Sequence, residues 1–554
     1  MAELQQSDDR LNLVPPPVDH DVFSSDVVLA EATERYGGAQ DVPRLRDLGR
    51  LAGTQRSQRW AESVDRNPPR LKTHDPFGRR VDEVEYHPAW HRLLQAGVRA
   101  GLTAAAWDAP TPAPHVARAA GLVVWSQVES GHVGLLSSTY ASVPALRHEE
   151  VLREAWQPRL ASRAYESGLR DPEDKLGCLA GIAIGERQSG SDVRAITTVA
   201  SAGDGPLEGG DAYKLTGQKW FCSHPMSDAF LVLAHAQGGL TCFLVPRVLA
   251  DGSRNTWRLL RLKDKAGNRS VATAEVDLDG TWGARVGEEG RGQRVIAAAL
   301  SALRLDSVLT ASGMIRHAVV RAVHHARHRE AFGGPLADKP LMQNVLADLA
   351  LESEAATTLS MRLAAAVDAG DTDLLRAAVP VAKFWVGKRA LGVVGEAMEC
   401  LGGNGYVEEH GLARVFRDVP VTALGEGTGN VAALDVLRAM SLHPRSMEVL
   451  LEEIDRARGS DSRLDRAVDE VAGFLQAASR EARRDPAAVE AGARWMVERL
   501  AVVLQASLLV RHAPPAVVTA FLATRVAGGG GSMFGTLPVG RKTTTAIVER
   551  SLPL

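Results

Sequence analysis

The chain has 554 residues, 45% of them hydrophobic and 24% charged; the composition excludes global disorder and the length excludes a single-motif binding module. Its 64 Lys and Arg against 67 Asp and Glu leave a net charge of -3, so no overall field draws in nucleic acid or an acidic membrane, and any such role needs a local patch. Four cysteines, Cys178, Cys222, Cys242 and Cys400, lie far apart without a C-x-x-C pair: neither a disulfide framework nor a zinc site is encoded locally, no metal is expected, and buried reduced thiols are the plain reading.

Residues 1–30 carry acids and prolines where a signal peptide has a basic start and an apolar stretch, which points to a cytoplasmic protein. Residues 1–175 read as a helical domain, with apolar positions at three-to-four spacing and breaks such as Pro110 to Pro114. Near Leu176 the pattern changes. Strand-length apolar stretches follow one another (LAGIAIGE, YKLTGQKWFC, AFLVLAHA, TCFLVPR, TAEVDLDG), so residues 176–290 are expected to form a middle β domain, a small barrel or sandwich. Residues 291–443 return to long helices; Leu305, Val308, Leu309, Ile315, Val319 and Val323 share one face, and four such runs predict a four-helix bundle. Residues 444–554 add a further helical domain that ends in a glycine run, Gly528 to Gly531, and a short tail. The longest uncharged apolar run, Leu500 to Val510, falls short of the ~20 residues that cross a bilayer, and no membrane segment is expected. The fold class is thus mainly α with a central β domain.

Four strings carry chemistry. Gly185 to Asp192 (GERQSGSD) follows an apolar strand, and its Gly/Ser-rich backbone offers N–H groups and hydroxyls to a ring carbonyl or a pyrophosphate; a plain turn reads the same. Gly217 to Ser223 (GQKWFCS) delivers a Trp beside small polar side chains, suited to pack on a flat ring or in a core. Arg327 to Leu336 (RHREAFGGPL) closes a long helix; Arg329 can fork onto a phosphate, or serve the helix dipole. Finally, Leu401 to Tyr406 (LGGNGY) precedes Gly425 to Asn430 (GEGTGN), where Glu426 stands between two glycines as a candidate base for a carbon acid.

Together with GRRVDEVEYHPAWHRLL, KWFCSHPMSDAFLVLAH, LTCFLVPR, RLKDKAGNRS, EGTGNVAALDVLR and FGTLP, these strings run the length of the chain. In that order the chain resembles the acyl-CoA dehydrogenase superfamily, and within it the alkylation-response flavoproteins of the AidB type. The resemblance implies FAD held between β domain and bundle. On this resemblance Ile184, Gly185, Gln188 and Ser191 match flavin and pyrophosphate positions, Trp220 and Phe221 the aromatic pair beside the isoalloxazine, and Cys222 the position facing flavin N5. Arg329 and Phe332 match the pair that reaches the FAD of a neighbouring subunit, with Gly402, Gly403, Gly427, Thr428 and Asn430 completing the site. A homo-oligomer, a dimer of dimers, is implied. Glu426 matches the base that takes the α-proton of an acyl thioester while hydride leaves for the flavin, and Arg438 an arginine near that base. Departures from the general pattern, Gly185 for Thr, Gly425 for an aromatic, Glu399 and Pro340 for glutamines, point away from routine acyl-CoA oxidation.

From Arg494 to Leu554 seven basic residues face two acids, a net +5. In the AidB branch the corresponding domain binds duplex DNA without sequence preference, so Arg494, Arg499, Arg511, Arg525, Arg541 and Lys542 are the candidate phosphate contacts. The alternative is a flavin dehydrogenase or oxygenase that acts on a bulky acyl thioester or specialised metabolite with no DNA role.

Overall fold

A computed structural model describes residues 12–205 and 211–552. Chain contacts divide it into two compact units: Arg56–Pro114 with Glu129–Asp306, and the segment up to Gln55 with His115–Val128 and everything from Ser307 on.

In the first unit a hairpin, β1 (Arg70–His74) and β2 (Arg80–Glu85), precedes the run of alternating residues, which folds into seven strands: β3 (Ala180–Ala183), β4 (Val199–Ala202), β5 (Ala212–Ser223), β6 (Ala229–Ala236), β7 (Gly239–Pro246), β8 (Arg258–Leu262) and β9 (Thr273–Val286). They run in the order β3-β6-β4-β5-β9-β7 with β8 on β9, and β6 also pairs with β7, so the sheet closes on itself. Closure gives the alternating apolar residues an interior: Leu215, Phe230, Val232, Phe243, Val245, Trp257 and Val276 are buried there, at about 1.5–3 kcal/mol for each large apolar side chain. A second apolar cluster joins the other sheet face to the helix Val133–Leu146 and to Val295, Ile296 and Ala299. β5 does not alternate to its end. Tyr213, Leu215 and Lys219 point inward, but a bulge against β9 between Lys219 and Cys222 adds a residue, and Cys222 is the next to point inward.

The second unit is helical. α1 (Gly292–His328) ends in it, followed by α2 (Pro340–Asp368), α3 (Thr372–Cys400) and α4 (Gly429–Leu442); α3 packs on both α2 and α4. α1 is the one helix among the described residues long and apolar enough to cross a membrane, yet 61% of its apolar window is buried and Asp306, Arg316 and Arg321 lie along it, as in a core helix. The segment expected to be a separate domain from 444 forms α5 (Pro444–Asp455), α6 (Ser462–Glu481), α7 (Pro486–His512) and α8 (Arg541–Arg550), which belong to the same unit as the bundle: α5 and α7 pack on α3, and α7 and α8 on α2. The expected 1–175 domain is likewise shared between the two units, because Val27–Arg35 packs on α2 while Val133–Leu146 packs on β3.

Buried ion pairs fasten the tail. Arg525 meets Asp348 and, at 2.8 Å, Glu352, which also receives Arg389 at 2.8 Å. Arg511 and Arg362 share Glu453 at 2.7 and 2.8 Å. Arg550 links Glu354 at 3.1 Å and Glu31 at 2.6 Å. The FGTLP loop is bonded to α2 by the Asn344 amide, which donates to Leu537 O at 3.0 Å and accepts from Leu537 N–H at 2.9 Å.

Candidate functional site

In the sheet unit the turn after β3 is organised by a carboxylate. Glu186 is buried and accepts from the Thr197 and Thr198 N–H groups at 2.7 and 3.2 Å, from both their hydroxyls, and from Lys219 Nζ at 2.8 Å. Burial raises its pKa, but the Lys219 ammonium and the donors around it outweigh that and hold it down at about 2. Lys219 is pushed down by burial, against the pull of Glu186. The ammonium also donates to Leu233 O at 2.8 Å. Neither residue was anticipated. The signal was present, since a lysine at the inward position after Tyr213, Leu215 and Gly217 needs a partner.

Above this pair, Gly185 O accepts the Trp220 N–H at 2.8 Å, which joins the first two sequence strings. Gly185 is half-buried, and a Cβ there would meet nothing closer than Ser189 O at 3.6 Å. Ile184 is half-buried against the apolar cluster, and Ser191 is exposed. Gln188 is committed within its own turn, donating to Glu186 at 2.7 Å, Thr197 Oγ1 at 3.0 Å and Ala195 O at 3.1 Å.

The β5 bulge sets how the residues of the GQKWFCS string face. Trp220 does not present an open ring: Lys263 Nζ stands 3.3 Å and the Arg187 guanidinium 4.9 Å from its centroid. The open ring is Phe221, 64% exposed. Cys222 is fully buried in the barrel core, and burial pushes its thiol up to about 12, against an opposing effect of Arg247. The polar group on the accessible side is Ser223, half-buried with its hydroxyl 3.4 Å from that of Thr273.

In the helical unit, α1 runs into a tight loop in which Phe332 takes a left-handed φ of 53° and is 90% exposed, with Ala331 N–H bonded to Gly334 O at 2.9 Å. Arg329 is half-buried and donates to Asn12 O. Gly402 has φ 59°, and a Cβ on it or on Gly403 would meet open space, whereas Gly405 abuts Met398 O. Glu426 sits at φ 54°, followed by Gly427 at 105°; Thr428 then caps α4, and Asn430 accepts from Arg494 at 3.4 Å. Beneath this turn the buried Lys383 donates to Gly427 O. Arg438 lies one residue-triplet beyond Asp435 and pairs with it, its side chain 63% exposed.

The tail cations do not form the expected patch. Arg511 and Arg525 are held by buried carboxylates with 17% and 14% of their side chains exposed. Arg499 lies 3.9 Å from Glu470, and Arg494 rests over the Phe384 ring at 5.7 Å. Arg541 and Lys542 remain exposed. The +5 arose because Asp348, Glu352, Glu354, Glu31 and Glu453 lie outside the stretch whose charge it sums.

Residues 12–167 match the adaptive response protein AidB N-terminal domain, 181–281 the acyl-CoA dehydrogenase middle domain and 290–441 the acyl-CoA dehydrogenase C-terminal domain. The chain belongs to the acyl-CoA dehydrogenase family. Within it, AidB of Escherichia coli (strain K12) is 41% identical over 85% of this chain and 87% of its own. Caenorhabditis elegans ACDH-11, solved in complex with C11-CoA, shares the fold over 98% of this chain and 93% of its own, at 24% identity and a TM-score of 0.78. An acyl-CoA dehydrogenase of Bacillus anthracis, solved with FAD, covers 84% of this chain and 80% of its own, at 20% identity and a TM-score of 0.62.

Proposed function

We infer that the protein is an FAD-dependent oxidoreductase that desaturates the Cα–Cβ bond of an acyl-CoA thioester, with Glu426 as the base. The observation that carries this is the Glu426 turn: a carboxylate in a left-handed backbone, set between two glycines immediately before the start of α4. The residues present fit a flavin. Phe221 offers an exposed flat ring, Ser223 a hydroxyl on the accessible side of the same strand, and the exposed Gly190 and Ser191 a small-residue turn that a ring or pyrophosphate can approach. Bound FAD supplies the hydride acceptor. The chain's own residues align the substrate carbons and remove the α-proton.

The substrate class is an acyl-CoA, in keeping with the C11-CoA held by ACDH-11. Glu426→Gln is expected to slow anaerobic bleaching of the bound flavin by butyryl-, octanoyl- and undecanoyl-CoA by at least about a hundredfold without loss of FAD. Bleaching at the wild-type rate sinks the assignment.

The exposed apolar residues of the helical unit, Phe332 at 90%, Leu341 at 84%, Tyr406 at 82% and Leu424 at 61%, support association of copies of the chain. Duplex DNA forms no part of this reading. Of the six candidate phosphate contacts, Arg511 and Arg525 are held by buried carboxylates, while Arg494, Arg499, Arg541 and Lys542 are exposed or half-buried.

A further inference from the structure

α3 carries Lys383 in the middle of an apolar run, VPVAKFWV, with 1% exposure. Its Nζ donates to two main-chain carbonyls, Ala423 O at 3.1 Å and Gly427 O. These carbonyls stand on opposite sides of Glu426 in the chain. Helix and turn can approach this closely because Gly387, one helical turn beyond Lys383, has no side chain: a Cβ there would meet Thr422 O at 3.0 Å and Ala423 Cα at 3.3 Å. On the far side Gly429 serves the same end, since a Cβ would meet Lys388 Cε at 2.6 Å.

The turn needs such support. A non-glycine residue held at φ 54° costs about 1–3 kcal/mol and persists only where its surroundings over-determine it. One ammonium has three donors, enough to bond carbonyls before and after the strained residue at once. No water replaces those bonds at a buried position without opening the packing between α3 and the turn.

We propose that Lys383 is a positioning residue: bonded to the carbonyls that flank Glu426, it holds the turn in the one conformation that aims the carboxylate. This rests on the reading of Glu426 as the base. The role is distinct from proton transfer, since Lys383 acts on the main chain.

Hydrogen–deuterium exchange on the protein as purified tests the hold directly. Lys383→Met, which keeps the length and removes the donors, is expected to speed exchange of the amides between 424 and 430 about tenfold while α2 and the rest of α3 stay protected. The same variant is expected to bleach with saturating acyl-CoA about 10–100-fold more slowly at unchanged half-saturation, the size of loss that a misplacement of about 1 Å produces. Lys383→Gln, which restores a donor, is expected to recover part of both, and it carries the test if Lys383→Met does not fold. Exchange at the wild-type rate in Lys383→Met, or in Lys383→Gln where Lys383→Met does not fold, overturns the proposal. If Glu426→Gln is inactive while Lys383→Met bleaches normally, the positioning role falls and the base stands. If Glu426→Gln bleaches normally, the base falls, and the exchange data still decide whether Lys383 holds the turn.

Discussion

Cys222 and Ser223 are consecutive residues of one strand on opposite faces, and their separation makes the site testable side chain by side chain. Ser223→Ala is expected to shift the visible absorption of the bound flavin and weaken its retention, because the hydroxyl lies on the accessible face. Cys222→Ser is expected to leave that spectrum unchanged and to cost about 1–3 kcal/mol in a thermal melt, because it places a hydroxyl among Phe230, Ala274 and Val276. The opposite pattern returns Cys222 to the cofactor. At this scale the residue letters are legible in the sequence and their facing is not. A strand's side chains alternate, so the extra residue of the bulge between Lys219 and Cys222 moves every later side chain to the other face, and a bulge is specified by pairing with β9, not by the string KWFCS.

Helix α2 shows the same limit in charge. Its buried acids Asp348, Glu352 and Glu354 look costly in isolation; each is neutralised by an arginine from the last part of the chain, Arg525 or Arg550, and Glu352 also by Arg389. Arg525→Met is therefore expected to destabilise the folded protein by about 3–5 kcal/mol, read by urea or thermal unfolding, because Asp348 loses its counter-ion out of water and Glu352 is left with Arg389 alone. Arg541→Glu is expected to change stability by no more than about 0.5 kcal/mol, since that side chain is exposed. Equal effects would mean that the pairing with α2 contributes nothing. The helices themselves were legible from period and composition, because an apolar stripe is a local property. Their electrostatic partners were not, because Arg525 and Asp348 meet only through the fold.

On the scale of the whole molecule, the succession of helices, closed sheet, long helices and further helices was legible, as was the family, because the strings that mark them are short and contiguous. The Glu426 turn stands out in the sequence for the same reason: Glu426, its two glycines and Thr428 are neighbours in the chain. The supports beneath this turn and the turn after β3 were not legible, because Lys219 joins a strand to the turn after β3, 33 residues away, and Lys383 joins a helix to a turn 44 residues away. The exposed Phe332 loop belongs to this scale as well. Phe332→Asp is expected to shift the mass measured by light scattering toward the single chain; an unchanged mass excludes that loop from the association.

The ion pairs between the tail and α2 bear on descent and on engineering. A module that can be moved between proteins carries its own charge balance, and this one does not. Grafted onto a dehydrogenase without the acids of α2, the tail would bring buried arginines with no counter-charge; cut away here, it would leave Asp348, Glu352 and Glu354 to titrate toward neutrality. The two parts therefore depend on one another, and swapping tails between relatives is expected to succeed only where the acids travel with the arginines.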